Sequence, residues 1–230
     1  MNIEVLSVKD LTFSFSKKPV FSHLNLSLNS GEVLAVVGHN GAGKTTLFHL
    51  ILGYKFANSG EIKIFNKNVL VAQSREGLGY VPERAYLPLE QSFFSYLKYL
   101  AALQNIERDK RDSEAARVAS LVGLNEVMHQ PMKSYSKGML QKTMLAQAIL
   151  GDPQFIILDE PMSGLDPEAR QDLRAQIQSW KKQGKTVLFS THALDDVETL
   201  ADRVMVLDQG KMMFSGTTNE WVAQTKRGVE

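Results

Sequence analysis

The chain has 230 residues, 43% hydrophobic and 22% charged, and its 26 basic and 25 acidic side chains leave a formal charge of +1. That is an ordinary globular composition, long enough to bury a core without staples. Without cysteine there is no disulfide framework and no thiolate metal site, and a near-neutral chain lacks the basic excess of a nucleic-acid binder. The five histidines are scattered, without ligand spacing. The start, "MNIEVLSVKD", has no basic-then-apolar leader pattern. The richest apolar stretch, "SFFSYLKYLAAL", is shorter than the ~18 residues that span a bilayer and contains Lys98. The expectation is a cytoplasmic protein with no membrane span of its own.

In chain order, "IEVLSVKDLTFSFS" and "VFSHLNLSLN" alternate apolar and polar residues, as half-buried antiparallel strands do. "EVLAVVG" is a continuous apolar run, the mark of a strand covered on both faces, and "GEIKIF" is a further short strand. From about Leu87 to Leu150 the period becomes helical, through "QSFFSYLKYLAALQ", "DSEAARVASLVG" and "KGMLQKTMLAQAIL". Then strands and helices alternate: "FIILD", "PEARQDLRAQIQSWKKQG", "TVLFSTH", "ALDDVETLA" and "RVMVLD". Such alternation predicts a parallel sheet with crossover helices. Asp166 can cap the helix that begins at Pro167, where the missing N–H costs nothing. After Gly216 only a short helical tail is expected. No repeat or low-complexity tract interrupts the chain.

"EVLAVVGHNGAGKTTLFHLILG" sets a glycine-rich loop between a buried strand and a helix, and Gly38, Gly43, Lys44 and Thr45 fit G-x-x-x-x-G-K-[ST]. Glycines let the backbone wrap round phosphates with its N–H groups turned inward, and the helix start adds positive dipole. Lys44 is expected to reach the β- and γ-phosphates, and the Thr45 hydroxyl to ligate Mg²⁺. The loop residues Gly38, His39, Asn40, Gly41, Ala42, Gly43, Lys44, Thr45 and Thr46 are candidate nucleotide contacts. His39 stands at a variable position, and its side chain is read as incidental.

"FIILDE" ends an apolar run in two adjacent carboxylates, and buried carboxylates need a positive partner. Asp159 is expected to hold Mg²⁺ directly or through water, on a strand beside the one feeding the loop. Glu160 is expected to polarise the water that attacks the γ-phosphate; the alternative is a solvated charge at a strand end.

With these motifs in order, the chain resembles the ATP-binding subunit of an ABC (ATP-binding cassette) transporter. "GHNGAGKTT" corresponds to the Walker A loop, "FIILDE" to the Walker B strand, "SGLD" (Ser163 to Asp166) to the D-loop, and "STH" ends on the switch histidine, His192. Phe15 falls where an aromatic ring stacks on adenine. "YSKGM", Tyr135 to Met139, falls on the signature, usually LSGGQ. Ser136 is a good N-cap, and a capped helix start is an anion site. Lys137 replaces the usual first glycine; it reads either as a cation near the partner's phosphates or as a solvated lysine. Gly138 permits close approach, and Met139 leaves only backbone contact. Glu83 in "GYVPER" stands at the usual Q-loop glutamine, and a carboxylate there can still ligate Mg²⁺. Leu140, Met144 and Ala148 share one face of the signature helix, as core residues do.

The resemblance implies a P-loop NTPase (RecA-like) α/β fold with a mainly parallel sheet, an N-terminal antiparallel β subdomain and an inserted helical subdomain. It implies a single ATPase domain over 1–230, with 1–86 holding the β subdomain and Walker A, 87–151 the helices and signature, and 152–230 the rest of the core. It implies ATP and Mg²⁺ as cofactors and no other metal. Two cassettes pair head-to-tail, each ATP lying between one Walker A and the other's signature. Catalytic residues are then Glu160, His192, Lys44 and Glu83; Asp166 of the D-loop joins the nucleotide contacts; Thr45, Glu83 and Asp159 hold the metal. Partners are a second ATPase subunit and a separate transmembrane permease, which keeps the chain peripheral on the inner membrane face, with no nucleic acid. Glu83 and "YSKGM" resemble the branch serving drug, antibiotic, sodium and lipid exporters. The aromatics Phe93, Phe94, Tyr96 and Tyr99 read as mostly core, with part of this region lining a groove for a permease helix; Trp180 and Trp221 read as packing residues.

Three rivals stand beside this reading. A soluble cassette ATPase acting on DNA or the ribosome usually carries coiled-coil insertions, zinc cysteines or two cassettes. A non-hydrolysing module is opposed by Asp159, Glu160 and His192. A GTPase or small-molecule kinase leaves the signature unexplained, and Asn66-Lys67 lacks the Asp of a guanine-reading loop.

Overall fold

The structure is a computed structural model describing residues 3–16, 18–84 and 86–227. In chain order the elements are β1 (Glu4–Phe15), β2 (Lys18–Asn29), β3 (Val33–Val37), α1 (Lys44–Ile51), β4 (Ser59–Ile64), β5 (Lys67–Asn68), β6 (Leu78–Val81), α2 (Phe93–Leu103), α3 (Arg111–Leu121) and α4 (Lys137–Ile149). They continue with β7 (Phe155–Leu158), α5 (Pro167–Lys182), β8 (Thr186–Thr191), α6 (Leu194–Leu200), β9 (Arg203–Asp208), β10 (Lys211–Thr217) and α7 (Thr218–Arg227). They form two compact units, one of residues 1–76 with 157–230 and one of residues 77–156. No helix among the described residues is long and apolar enough to cross a membrane.

The first unit holds an antiparallel sheet in the order β2-β1-β4-β5. Its alternation puts Leu6, Val8, Leu11, Phe13, Leu24, Leu26 and Leu28 inside, as one-sided burial requires. The same unit holds a second sheet in which β3 is flanked by β8 and β9, both parallel to it. β10 closes one edge, antiparallel to β9. All residues of β3 and β8 are buried, which is why β3 reads as an unbroken apolar run and β8 carries Val187, Leu188 and Phe189 in succession. The strand order is β10-β9-β3-β8-β7, so the strand carrying Asp159 does not neighbour the loop strand as the sequence suggested. β8 lies between them, because its fully buried run pairs with β3 along the whole of that strand.

α5 covers this sheet with Leu173, Ile177 and Trp180, spaced at helical period. Asp166 caps it, accepting the Ala169 N–H at 2.8 Å, and Pro167 opens its first turn. Arg174 on α5 is hydrogen-bonded to the fully buried Asp196 of α6, which supplies the partner that a buried carboxylate needs. Trp180 and Trp221 are buried, at 3% and 7% exposure, as packing residues.

In the second unit, α2 and α4 both begin at serine caps, Ser92 accepting the Ser95 N–H and Ser136 the Met139 N–H, each at 3.2 Å. The helices bury Phe93, Leu97, Ala101, Ala115, Val118 and Ala119 among themselves. The end of α4 lies against β6 so closely that a Cβ on Gly79 would stand 2.0 Å from the Ala148 carbonyl oxygen. Of the four aromatics expected to be mostly core, only Phe93 is fully buried; Phe94 and Tyr96 are half-buried and Tyr99 is 58% exposed. The cause is local: a helix covered on one side buries one stripe, and Tyr99 lies off it.

Candidate functional site

The turn 38–43 between β3 and α1 is shaped by its glycines. Gly43 precedes the helix at φ 110°, a conformation a side chain rarely adopts. A Cβ on Gly38 would stand 2.5 Å from the Leu207 carbonyl oxygen of β9, so only glycine fits there. His39, Asn40 and Gly41 are exposed at the rim, Ala42 is buried, and Thr45 and Thr46 are half-buried in the first turn of α1. The glycine turn and the start of α1 thus meet at an exposed rim, and a helix start after such a turn is suited to phosphate.

Lys44 opens α1 and is 6% exposed. Its ammonium donates to the Gly38 carbonyl at 2.6 Å and the His39 carbonyl at 3.3 Å, and it lies 3.0 Å from Glu160 Oε1. Glu160 follows β7 with φ 46°, left-handed and uncommon for a side-chain-bearing residue. That conformation costs on the order of 1 kcal/mol, and such strain concentrates at functional sites. His192, just past β8, places Nδ1 3.1 Å from Glu160 Oε2. The Glu160 carboxylate is thus held between a lysine and a histidine, while its side chain stays only 10% exposed.

Ser190 joins the two carboxylates. Its hydroxyl donates to Asp159 Oδ1 at 2.7 Å and accepts the Glu160 N–H at 2.7 Å. The sequence reading passed over Ser190, although a serine near the end of an apolar, fully buried strand signals a polar group that must be satisfied. Asp159 is 1% exposed. The oxygen donors expected of a metal are the Thr45 hydroxyl and the Asp159 carboxylate, hard ligands of the kind magnesium takes. No cluster of three or more acidic, histidine or cysteine side chains able to hold a metal occurs among the described residues. That donor set fits an ion that keeps waters and shares substrate phosphates, as magnesium does.

Phe15, at the end of β1, is 47% exposed and packs edge-on against Phe13 at 5.0 Å. Lys55 Nζ lies 4.9 Å from its ring centre. The half-exposed ring is thus braced by Phe13 and carries the Lys55 ammonium over one of its faces. The first unit therefore brings together Lys44, Asp159, Glu160, Ser190 and His192. Ser136, Lys137, Gly138, Met139 and Glu83 belong to the second unit. There Ser136 and Lys137 are exposed at the tip of α4, and space is open around Gly138, with only Ser136 Oγ near a hypothetical Cβ, at 3.9 Å. Tyr135 before the tip is anchored by its hydroxyl donating to the Val127 carbonyl at 2.8 Å. Glu83, past β6, is half-exposed, its Oε1 4.0 Å from Arg84 Nε.

Residues 21–163 match the sequence family described as ABC transporter. An uncharacterised ABC transporter ATP-binding protein of Synechocystis is 39% identical over 199 residues, covering 86% of this chain and 56% of that protein. The chain thus spans little more than half of that relative's length. The lantibiotic transport ATP-binding protein SrtF of Streptococcus pyogenes is 31% identical over 210 residues, covering 91% of this chain and 90% of its own. A solved structure described as the ATP binding subunit of an ABC transporter superposes with a TM-score of 0.87 at 28% identity, over 96% of this chain and 93% of that one.

Proposed function

Because the chain belongs to the ABC transporter family of ATP-binding proteins, we propose that it hydrolyses ATP and energises a separate membrane protein, most simply an exporter. The observation that carries hydrolysis is the Glu160 carboxylate, held 3.0 Å from Lys44 and 3.1 Å from His192 at the rim of the phosphate loop. A binding module needs no such carboxylate.

The adenine stacks on Phe15, and the phosphates follow the N–H groups of residues 38–46. Lys44 exchanges its bonds to the Gly38 and His39 carbonyls for phosphate oxygens. Thr45 and Asp159 would hold magnesium, with Glu83 the further ligand that the family resemblance implies, and the ion would supply charge neutralisation for the phosphates. Ser190 keeps Asp159 and the Glu160 backbone in register. Glu160 accepts a hydrogen bond from the attacking water, and His192 steadies that carboxylate and the γ-phosphate. Catalysis of this kind is positioning and electrostatics rather than covalent chemistry.

The two units act as one ATPase domain over residues 1–230 and as half of a shared centre. A second subunit, identical or related, presents Ser136, Lys137, Gly138 and the Met139 backbone to the γ-phosphate, with Asp166 at the dimer seam. Closing on ATP and opening after hydrolysis moves a transmembrane permease between two states. The chain then sits on the cytoplasmic face of the membrane through that permease. The name of the Streptococcus relative, a lantibiotic transport protein, supports transport, and Glu83 with "YSKGM" supports the outward direction. Phosphate release from ATP by the purified chain tests the enzymatic part; ATP binding without release contradicts it.

A further inference from the structure

His39 is tied at both ring nitrogens. Nδ1 lies 2.7 Å from the Asn40 carbonyl oxygen and Nε2 lies 2.8 Å from Asp208 Oδ1, at the end of β9. Both partners are acceptors, and a neutral imidazole has one N–H to give. Only the imidazolium makes both bonds at once. The same stretch of chain braces the loop twice more: the Gly210 N–H donates to the Ala42 carbonyl at 3.1 Å, and the Leu207 carbonyl leaves room for nothing beyond glycine at 38. The outer wall of the phosphate loop is therefore the β9–β10 turn, and His39 supplies a side-chain link from the loop to that wall.

We propose that His39 is a positioning residue: its imidazolium, bonded to Asp208, holds the phosphate loop in its binding shape and makes nucleotide affinity fall as the ring loses its proton. This rests on the reading of the loop as a nucleotide site. The charged groups facing the ring are Asp208 from β9 and Lys44 from α1. The Asn40 carbonyl and then Asp208 raise the ring's pKa above the ordinary histidine value, against weaker opposition from burial and from the Lys44 charge. The sign follows: the tie is complete below the ring's pKa and is lost as pH rises through it. Histidine and carboxylate are 58% and 50% exposed, so solvent screens the pair and the effect is small.

The test measures MgATP affinity by calorimetry at about pH 6 and about pH 8.5, with excess Mg²⁺ so that the nucleotide's own ionisation stays constant. It runs on the wild type, His39→Gln and Asp208→Asn, while ¹⁵N NMR follows the His39 ring. Wild-type affinity is expected to drop about threefold to fivefold across this range. His39→Gln should be flat at the wild-type high-pH level, and Asp208→Asn should move both the ring titration and the affinity midpoint to lower pH. A His39→Gln profile that copies the wild type overturns the proposal, as does a ring titration unmoved by Asp208→Asn. Binding that is tight but pH-independent in the wild type overturns the tie alone; no binding at either pH overturns the nucleotide reading with it.

Discussion

Lys44 Nζ lies 3.0 Å from Glu160 Oε1, although the strands that lead to the two residues, β3 and β7, are not neighbours in the sheet. The ammonium also donates to two carbonyls of its own loop, so its charge is fixed in place at the loop's centre. On the proposed role, Lys44→Ala would remove charge-assisted bonds to phosphate worth about 1.5–3 kcal/mol. ATP affinity measured by calorimetry is expected to fall at least about tenfold. Unchanged affinity contradicts the role of the loop.

Ser190 bonds both the Asp159 carboxylate and the Glu160 N–H in a fully buried position. Ser190→Ala takes the acceptor from that N–H and one donor from Asp159. The cost is about 1–3 kcal/mol in stability, read by denaturant unfolding. ATP turnover should fall as well, because both carboxylates lose their alignment. A variant with wild-type stability and turnover shows that the serine is dispensable.

Glu114 in the second unit binds Arg117 through two bonds and accepts the Gly151 N–H at 2.8 Å. Burial pushes its pKa up, but Arg117 and the Gly151 amide outweigh it and hold the carboxyl below its ordinary value. A depressed folded pKa means stability that is present above the unfolded pKa and lost as pH falls through the folded one. Glu114→Gln should therefore cost about 1 kcal/mol at neutral pH, since Arg117 is partly exposed. That difference should vanish in acid, below the folded pKa. A difference that is constant with pH shows packing rather than charge.

Ser136 caps α4 with an exposed hydroxyl, and in the shared-centre account it serves the other copy's ATP. Ser136→Ala loses about 1 kcal/mol of cap energy and most turnover. If copies of this chain pair with each other, mixing inactive Ser136→Ala with inactive Lys44→Ala builds one intact centre per mixed dimer. Restored phosphate release on mixing is the expected result; none at any ratio means that identical copies do not share a centre.

The local parts of this molecule were legible in the sequence. The run "VLAVV" and the glycine spacing after it determine strand, loop and helix within a short stretch, and the caps at Asp166 and Ser136 are written in single residues. Strand order was not, because apolar runs alike on both faces do not say which neighbour each takes; β8 between β3 and β7 is a long-range pairing. β6 and β10 escaped because Gly79 and the exposed, weakly alternating residues 211–217 carry little strand signal. The His39–Asp208 contact joins residues 169 positions apart, and no local pattern announces it.

The central claim is that Glu160, gripped by Lys44 and His192, readies the water that cleaves ATP. The most direct measurement is phosphate release by the wild type and Glu160→Gln, with ATP binding determined on the same samples. The account predicts that the variant binds ATP at least as well and releases phosphate about 10²–10⁴ times more slowly. Equal release from both proteins contradicts it.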